Sequence, residues 1–176
     1  MSFEADMVVW LPALRRYARA LTGDAAWADD LVQDTAERAL NRWHTLQPQS
    51  NLRAWLLTIL RHLYIDQLRK RREIAVDDDS APWRTMAAPA DEVDGLFLLD
   101  VQRALYCLPV EQREVLLLVG LEELSYQQVA SILNVPVGTV MSRLSRAREH
   151  MRSLLKEDPG SKRPPLKVVG KAVKDK

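Results

Sequence analysis

The chain has 176 residues, 47% hydrophobic and 28% charged, enough for one ordinary packed domain or two small ones and unlike a globally disordered chain. Cys107 is the single cysteine, which excludes an internal disulfide, argues against a cysteine-based zinc site and suits a reducing cytoplasm. The formal net charge of +1 hides segregation: six basic residues against one acid over Leu52–Arg72, eight acids against one base over Glu73–Asp100, then five basic residues against one acid over Asn134–Lys156.

The N-terminus lacks the basic head and apolar run of a signal peptide, and no apolar run approaches the ~20 residues a bilayer span needs. Strand signals are nearly absent. A first helix is expected from about Met7 to Leu21, with Leu11, Leu14, Tyr17, Ala18 and Leu21 on one face, broken by Thr22-Gly23-Asp24. A second runs to about Trp43, with Trp27, Leu31, Thr35 and Ala39 at helical spacing, and the loop His44–Asn51 follows. Asn51 is a plausible N-cap for a third helix, whose Leu52, Trp55, Leu56, Ile59, Leu60 and Leu63 form a buried stripe and whose end is Arg69-Lys70-Arg71-Arg72, where positive charge favours a helix C-terminus.

Residues 73–94 carry two prolines and many acids and read as a flexible linker. Periodicity resumes from Val93 to Leu108, stops at Pro109, and returns from Glu111 to Val119 before Gly120. The tail, 157–176, is basic and rich in Pro, Gly and Lys, and is expected to be disordered. The fold class is therefore all-α: a helical domain over 1–72, the linker, and a second helical domain over 95–156.

That second domain contains a helix-turn-helix pattern. Ser125 and Gln128 form a capping box; Tyr126, Val129, Ile132 and Leu133 give an apolar face; Asn134-Val135-Pro136 makes the turn, with Pro136 at the start of the next helix, where its missing N–H costs nothing. In that helix Val140, Leu144, Ala147 and Met151 face the core. Thr139, Ser142 and Arg146 lie opposite, flanked by Arg143 on one edge and by Met141 and Arg148 on the other. A dry back, short polar groups near the N-terminus and arginines further on suit the major groove, with base edges read first and phosphates held behind.

These residues resemble the fourth conserved region of extracytoplasmic-function sigma factors. The resemblance runs through Leu108-Pro109, Glu111-Gln112-Arg113, Leu124-Ser125-Tyr126, Pro136-Val137-Gly138-Thr139-Val140, Ser142-Arg143 and Arg146-Ala147-Arg148. In the first half, Ala28-Asp29-Asp30-Leu31-Val32-Gln33-Asp34-Thr35, Trp55-Leu56, Asp66 and Arg69-Lys70-Arg71 are similar to the second conserved region. The resemblance covers about Leu11 to Leu155. It implies a dissociable subunit of bacterial RNA polymerase, with core polymerase and promoter DNA as partners, an anti-sigma factor that sequesters the two domains, and no cofactor.

Residue by residue, the resemblance implies polymerase contacts by Asp30, Leu31, Gln33, Asp34, Glu37 and Arg38. It implies downstream-element contacts by Gln49, Ser50 and Asn51, in a loop receiving an unstacked base, and by Arg61, His62, Arg69, Lys70, Arg71 and Arg72. Upstream-element contacts fall to Ser125, Val137, Gly138, Thr139, Ser142, Arg143, Arg146 and Arg148. Met141 stands where many members carry a basic residue, and His62 where an asparagine is common. The linker would thread towards the catalytic cleft, its negative charge occupying a channel built for nucleic acid.

Other features read plainly. Trp27 and Trp55 lie on apolar stripes and are expected in the core, while Trp43 is nearer the loop; Asp29, Asp30 and Asp34 suit a solvated face; the three histidines have no ligand spacing; Cys107 is expected as a small core residue. No nucleophile elbow, phosphate loop or metal cluster supports an enzyme. The competing function is a stand-alone dimeric helix-turn-helix transcriptional regulator, which would bind its operator without polymerase.

Overall fold

Helix α1 (Phe3–Thr22) starts four residues earlier than its apolar spacing predicts, because Ser2 caps it by accepting from the Ala5 amide and Glu4 and Asp6 place negative charge in its first turn. The computed structural model describes residues 2–47, 49–74 and 92–156. The acidic stretch 75–91 and the tail 157–176, on which the linker and tail expectations fall, lie outside the described residues. Among the described residues every regular element is helical.

Gly23 ends α1 in the left-handed region (φ 68°), its amide donating to Arg19 O at 2.9 Å. Asp24 then caps α2 (Ala25–Arg42) by accepting from the Trp27 amide at 2.9 Å. Trp27, Leu31, Thr35 and Ala39 are buried as their spacing predicts. A 3-10 turn, Trp43–Thr45, leads to α3 (Leu52–Ile74), where Asn51 Oδ1 accepts from the Ala54 amide at 3.1 Å. Leu56, Leu57, Ile59, Leu60 and Tyr64 of α3 complete a three-helix bundle with α1 and α2. Each such aliphatic side chain contributes about 1.5–3 kcal/mol on full burial.

The second bundle comprises α4 (Glu92–Cys107), α5 (Val110–Gly120), α6 (Tyr126–Leu133) and α7 (Val137–Lys156). Pro109 separates α4 from α5, as its fixed φ and missing amide dictate. Two side chains face the other way from their expected placement. Cys107, last in α4, is exposed, while Ala104, Leu105 and Leu108 turn inward. Tyr126 is 37% exposed because, as the first residue of α6, it lies before the stripe of Val129, Ile132 and Leu133.

The bundles are packed on each other. α1 rests on α5 and α3 on α6, and one continuous cluster of buried apolar residues runs through both halves. Tyr106 of α4 lies over the α1–α2 turn: a Cβ placed on Gly23 would sit 2.1 Å from the tyrosine ring. Its hydroxyl donates to Ala20 O at 3.1 Å, so α4 supplies a cap for the carbonyls that end α1. Arg113 of α5, 8% exposed, adds its guanidinium to the same joint. It donates to Leu21 O (3.2 Å) and, within its own half, to Leu105 O (2.8 Å), Tyr106 O (2.9 Å) and Leu108 O (3.1 Å). A cation at the negative end of α1 is favoured by the helix dipole.

Candidate nucleic-acid interface

The helix-turn-helix is built by local rules. Ser125 Oγ accepts from the Gln128 amide (3.2 Å), and Gln128 Oε1 accepts from the Ser125 amide (2.9 Å), closing the capping box. Asn134 takes the left-handed conformation (φ 53°) that ends α6, a position that tolerates Asn better than most side chains. Pro136 O accepts from the Thr139 and Val140 amides and so opens α7. Val140, Leu144 and Ala147 are buried against α5 and α6, with Met151 half-buried behind them.

The opposite side of α7 is open. Val137, Gly138, Met141, Ser142 and Arg146 are exposed, and Thr139, Arg143 and Arg148 are half-buried on its flanks. Ser142 Oγ donates to Thr139 O at 3.1 Å, which leaves its lone pairs for an incoming donor. Ser125 is exposed, but its hydroxyl oxygen is engaged by the cap, so any donation to a phosphate is made by the remaining O–H.

In the N-terminal bundle the expected single-strand face is less uniform. Gln49, Ser50 and Asn51 are exposed in the loop before α3, with Asn51 Oδ1 held as the cap. Trp43 stands 55% exposed at the base of this loop, stacked on Phe3 with ring centroids 6.3 Å apart. His62, Arg69, Lys70, Arg71 and Arg72 are exposed along α3. Arg71 lies over the Trp27 ring at 4.0 Å, a cation–π contact that fixes its direction.

Arg61 does not share that freedom. Its Nε donates to Glu114 Oε1 of α5 at 3.0 Å. The other carboxylate oxygen of Glu114 is buried with no hydrogen-bond partner among the described residues, as is the hydroxyl of Tyr17. Burial pushes the Glu114 carboxyl above its usual range; the Arg61 guanidinium pulls it back, and Arg143 adds to that pull. Burial also raises the Tyr17 phenol, with Glu114 reinforcing it.

A second cluster lies nearby. Glu122, 1% exposed, is turned inward by the loop after α5, whose next residue, Glu123, is left-handed (φ 52°). Arg16 of α1 donates through Nε and Nη2 to Oε1 (3.3 and 3.1 Å), and Nη2 also reaches Oε2 (3.2 Å). Arg53 of α3 donates to the second oxygen and to the Glu122 carbonyl (2.8 Å). Arg53 also stacks on Trp10 at 5.4 Å. Sequence reasoning missed Arg16, Arg53, Tyr106, Glu114 and Glu122 as a set. One signal was present: Glu114 shares an i, i+3, i+4, i+7 stripe with Leu117, Leu118 and Leu121, and a charge on an apolar stripe needs a buried partner.

The expected polymerase face lies on α2. Asp30, Gln33 and Glu37 are exposed, with Gln33 Nε2 donating to Glu37 Oε1 at 3.1 Å, and Asp34 and Arg38 are half-buried. Asp34, Glu37 and Arg38 line a shallow groove with Asn41, Arg42 and Leu63. Gln67 ties this face to α3, donating to Asp34 Oδ2 (2.9 Å) while accepting from Trp27 Nε1 (2.7 Å). Leu31 is the exception. It is fully buried on the stripe of Trp27 and Thr35, so it holds the helix in place and does not meet a partner's surface.

Comparison with known proteins agrees with this arrangement. The family model described as the Sigma2 domain of PhyR matches residues 8–61, and that of Sigma-70, region 4, matches residues 98–151. The ECF RNA polymerase sigma factor EcfG of Rhodopseudomonas palustris (strain TIE-1) is 42% identical over 157 residues, covering 89% of this chain and 87% of that one. The sigma factor RpoE of Bartonella quintana, solved with the anti-sigma factor NepR, matches with a TM-score of 0.75 at 38% identity, covering 89% of this chain and 98% of that chain. CnrH, solved with the cytosolic domain of CnrY, matches at 0.68 and 26% identity, covering 88% of each. With both conserved regions present in order and close relatives spanning nearly its whole length, the chain belongs to the ECF RNA polymerase sigma factors, which bind core RNA polymerase and direct transcription initiation at promoters.

Proposed function

We propose a division of labour between the halves, carried above all by the outward face of α7, where Val137 to Arg146 are presented on a dry, well-packed back. The C-terminal half, 95–156, reads the upstream promoter element as duplex. Val137, Gly138, Thr139 and Ser142 approach base edges, and Arg143, Arg146 and Arg148 hold the flanking backbone. The N-terminal half, 1–72, docks on the large polymerase subunit's coiled coil through Asp30, Gln33, Asp34, Glu37 and Arg38. Its loop, Gln49 to Asn51, and its helix α3, through Arg61, His62, Arg69 and Lys70, hold the opened downstream strand.

The chain acts by binding, has no catalytic step of its own and works in the cytoplasm. Among the described residues no helix is long and apolar enough to cross a membrane. Because RpoE and CnrH were each solved with a partner, the first an anti-sigma factor and the second the cytosolic domain of CnrY, we extend an anti-sigma partner to this chain.

Run-off transcription with core polymerase on a promoter library tests this reading, with a gel shift run with and without core. The expected result is selection of one two-part sequence by chain plus core and weak binding by the chain alone. Tight binding of a palindromic duplex by a dimer of the chain, with no transcription when core is added, overturns it in favour of a stand-alone regulator.

A further inference from the structure

We propose that Met141 sets a base preference in the upstream element: on the outward face of α7 its thioether side chain packs against the C5-methyl group of a thymine in the major groove. The inference rests on the placement of α7 against duplex given above, and it gives one apolar residue a part in choosing the sequence.

The outward face of α7 has two unlike edges. Thr139, Arg143 and Arg146 make a polar, cationic edge. Val137 and Met141, one helical turn apart, make an apolar edge, and they are 36% and 53% exposed. Neither belongs to the core of the bundle, which α7 supplies with Val140, Leu144 and Ala147. An exposed methionine gains by leaving water, and on this face the surface that can cover it is the one that α7 enters.

Gly138 adds a second observation. A Cβ placed there would meet nothing within 4 Å, and a glycine weakens a helix relative to alanine. Packing within the chain therefore gives no reason for it. The space it leaves beside Val137 and Met141 lets the edges of base pairs approach the helix closely.

The chemistry of Met141 narrows what it can meet. Methionine has no N–H or O–H and no charge, so it cannot take guanine O6 and N7 as arginine or lysine does, and it cannot hold a phosphate. The groups that base pairs present in the major groove are hydrogen-bonding atoms with one exception, the thymine methyl. An unbranched, polarizable side chain adapts well to such a group. Cytosine in the same place would turn its amino group towards the thioether and lose a hydrogen bond to water. Arg146 on the opposite edge has the complementary capacity, so the two edges ask for different bases.

The test uses holoenzyme assembled from core polymerase and the full chain, with the promoter duplex that the run-off library selects. Each thymine of its upstream element, on either strand, is replaced in turn by deoxyuridine, which removes the methyl and keeps every hydrogen-bonding atom. Competition against the unsubstituted duplex gives relative affinities. At one position the parent chain is expected to lose about fourfold, the contribution of one buried methyl group. Met141→Ala should bind the unsubstituted duplex more weakly and lose little more at that deoxyuridine, while Met141→Leu should keep most of the parent's discrimination. Selection repeated with Met141→Ala should return an upstream element degenerate at that base pair. The salt dependence of binding should match that of the parent, since no phosphate contact is removed.

A flat deoxyuridine scan with the parent chain overturns the proposal, as does a selected upstream element without thymine on either strand. An equal loss at deoxyuridine in the parent and in Met141→Ala also overturns it, because the methyl would then act through the shape of the duplex and not through this side chain. Failure of the parent chain and core to select any upstream sequence is a different result. It removes the reading of α7 as the duplex reader, and this proposal with it.

Discussion

Helices α3 and α7 both carry basic residues toward nucleic acid, yet the molecule treats them differently. α7 packs chiefly on α4, α5 and α6 of its own bundle, and its outward arginine, Arg146, is free to solvent. α3 has two arginines, Arg53 and Arg61, captured by glutamates of the opposite bundle. On α7 the outward face is open, whereas on α3 Arg53 and Arg61 are engaged across the joint and His62, Arg69, Lys70, Arg71 and Arg72 stay exposed. Formal net charge does not distinguish these situations; the position of two buried carboxylates does.

Removing Arg113 should break this contrast most severely. Its guanidinium serves four carbonyls in a region that is 8% exposed, and truncation leaves several of them buried without a donor. Arg113→Ala should lower stability by roughly 3 kcal/mol, read as a shift in urea midpoint, since each buried unsatisfied acceptor costs about 1–3 kcal/mol before relaxation. A loss below about 0.5 kcal/mol, the range of an ordinary surface change, would mean that Arg113 does not organise the joint.

Gly23→Ala attacks the same joint from the other half. The left-handed backbone costs a non-glycine residue about 1–2 kcal/mol, and the new Cβ collides with the Tyr106 ring. A loss of about 2 kcal/mol or more is expected. Adding Tyr106→Ala should remove the collision, so the double variant should be more stable than the two single losses added together. Strict additivity would show that the ring and the turn are not in contact.

These two sites also mark what the sequence could and could not convey. The capping box at Ser125 and Gln128, the Asn134-Val135-Pro136 turn and the buried stripe of Val140, Leu144 and Ala147 all follow from neighbours within four residues. Helical periodicity identified the inward face of Leu31 as well, although the family resemblance implied a polymerase contact there. Glu122 meets Arg53 across 69 positions and Arg61 meets Glu114 across 53. Periodicity gives each helix a face but not a neighbour, so the partner of a buried charge has no local signature. Cys107 failed for a related reason: at a helix end, one residue of phase decides between core and solvent.

The contrast sharpens with single arginines in the free chain. Arg146→Ala should weaken duplex binding and reduce its salt dependence by about one counterion, because the side chain is exposed. Arg61→Ala should leave duplex binding by the free chain unchanged within error, yet lower transcription once core is present. Equal losses from both substitutions without core would show that α3 is as accessible as α7.

The smallest expected effect is a pH dependence of the joint. Glu114 faces Arg61 of α3 and Arg143 of α7, with Tyr17 of α1 nearby and Glu111 on its own helix. Burial raises its carboxyl and the arginines oppose that rise, so what remains is a residual of two larger influences. A raised native pKa means that the folded chain holds this proton more tightly than the unfolded chain does. The resulting stabilisation is present below the ordinary carboxyl value of 4.5 and is lost as pH rises through the raised native value. Glu114→Leu removes the group and with it this contribution to the slope. The difference in urea midpoint between the variant and the parent chain should therefore favour the variant more at pH 7 than at pH 4.5. The reverse trend would mean that Arg61 outweighs burial at Glu114 and that the Arg61–Glu114 contact gains from the full negative charge.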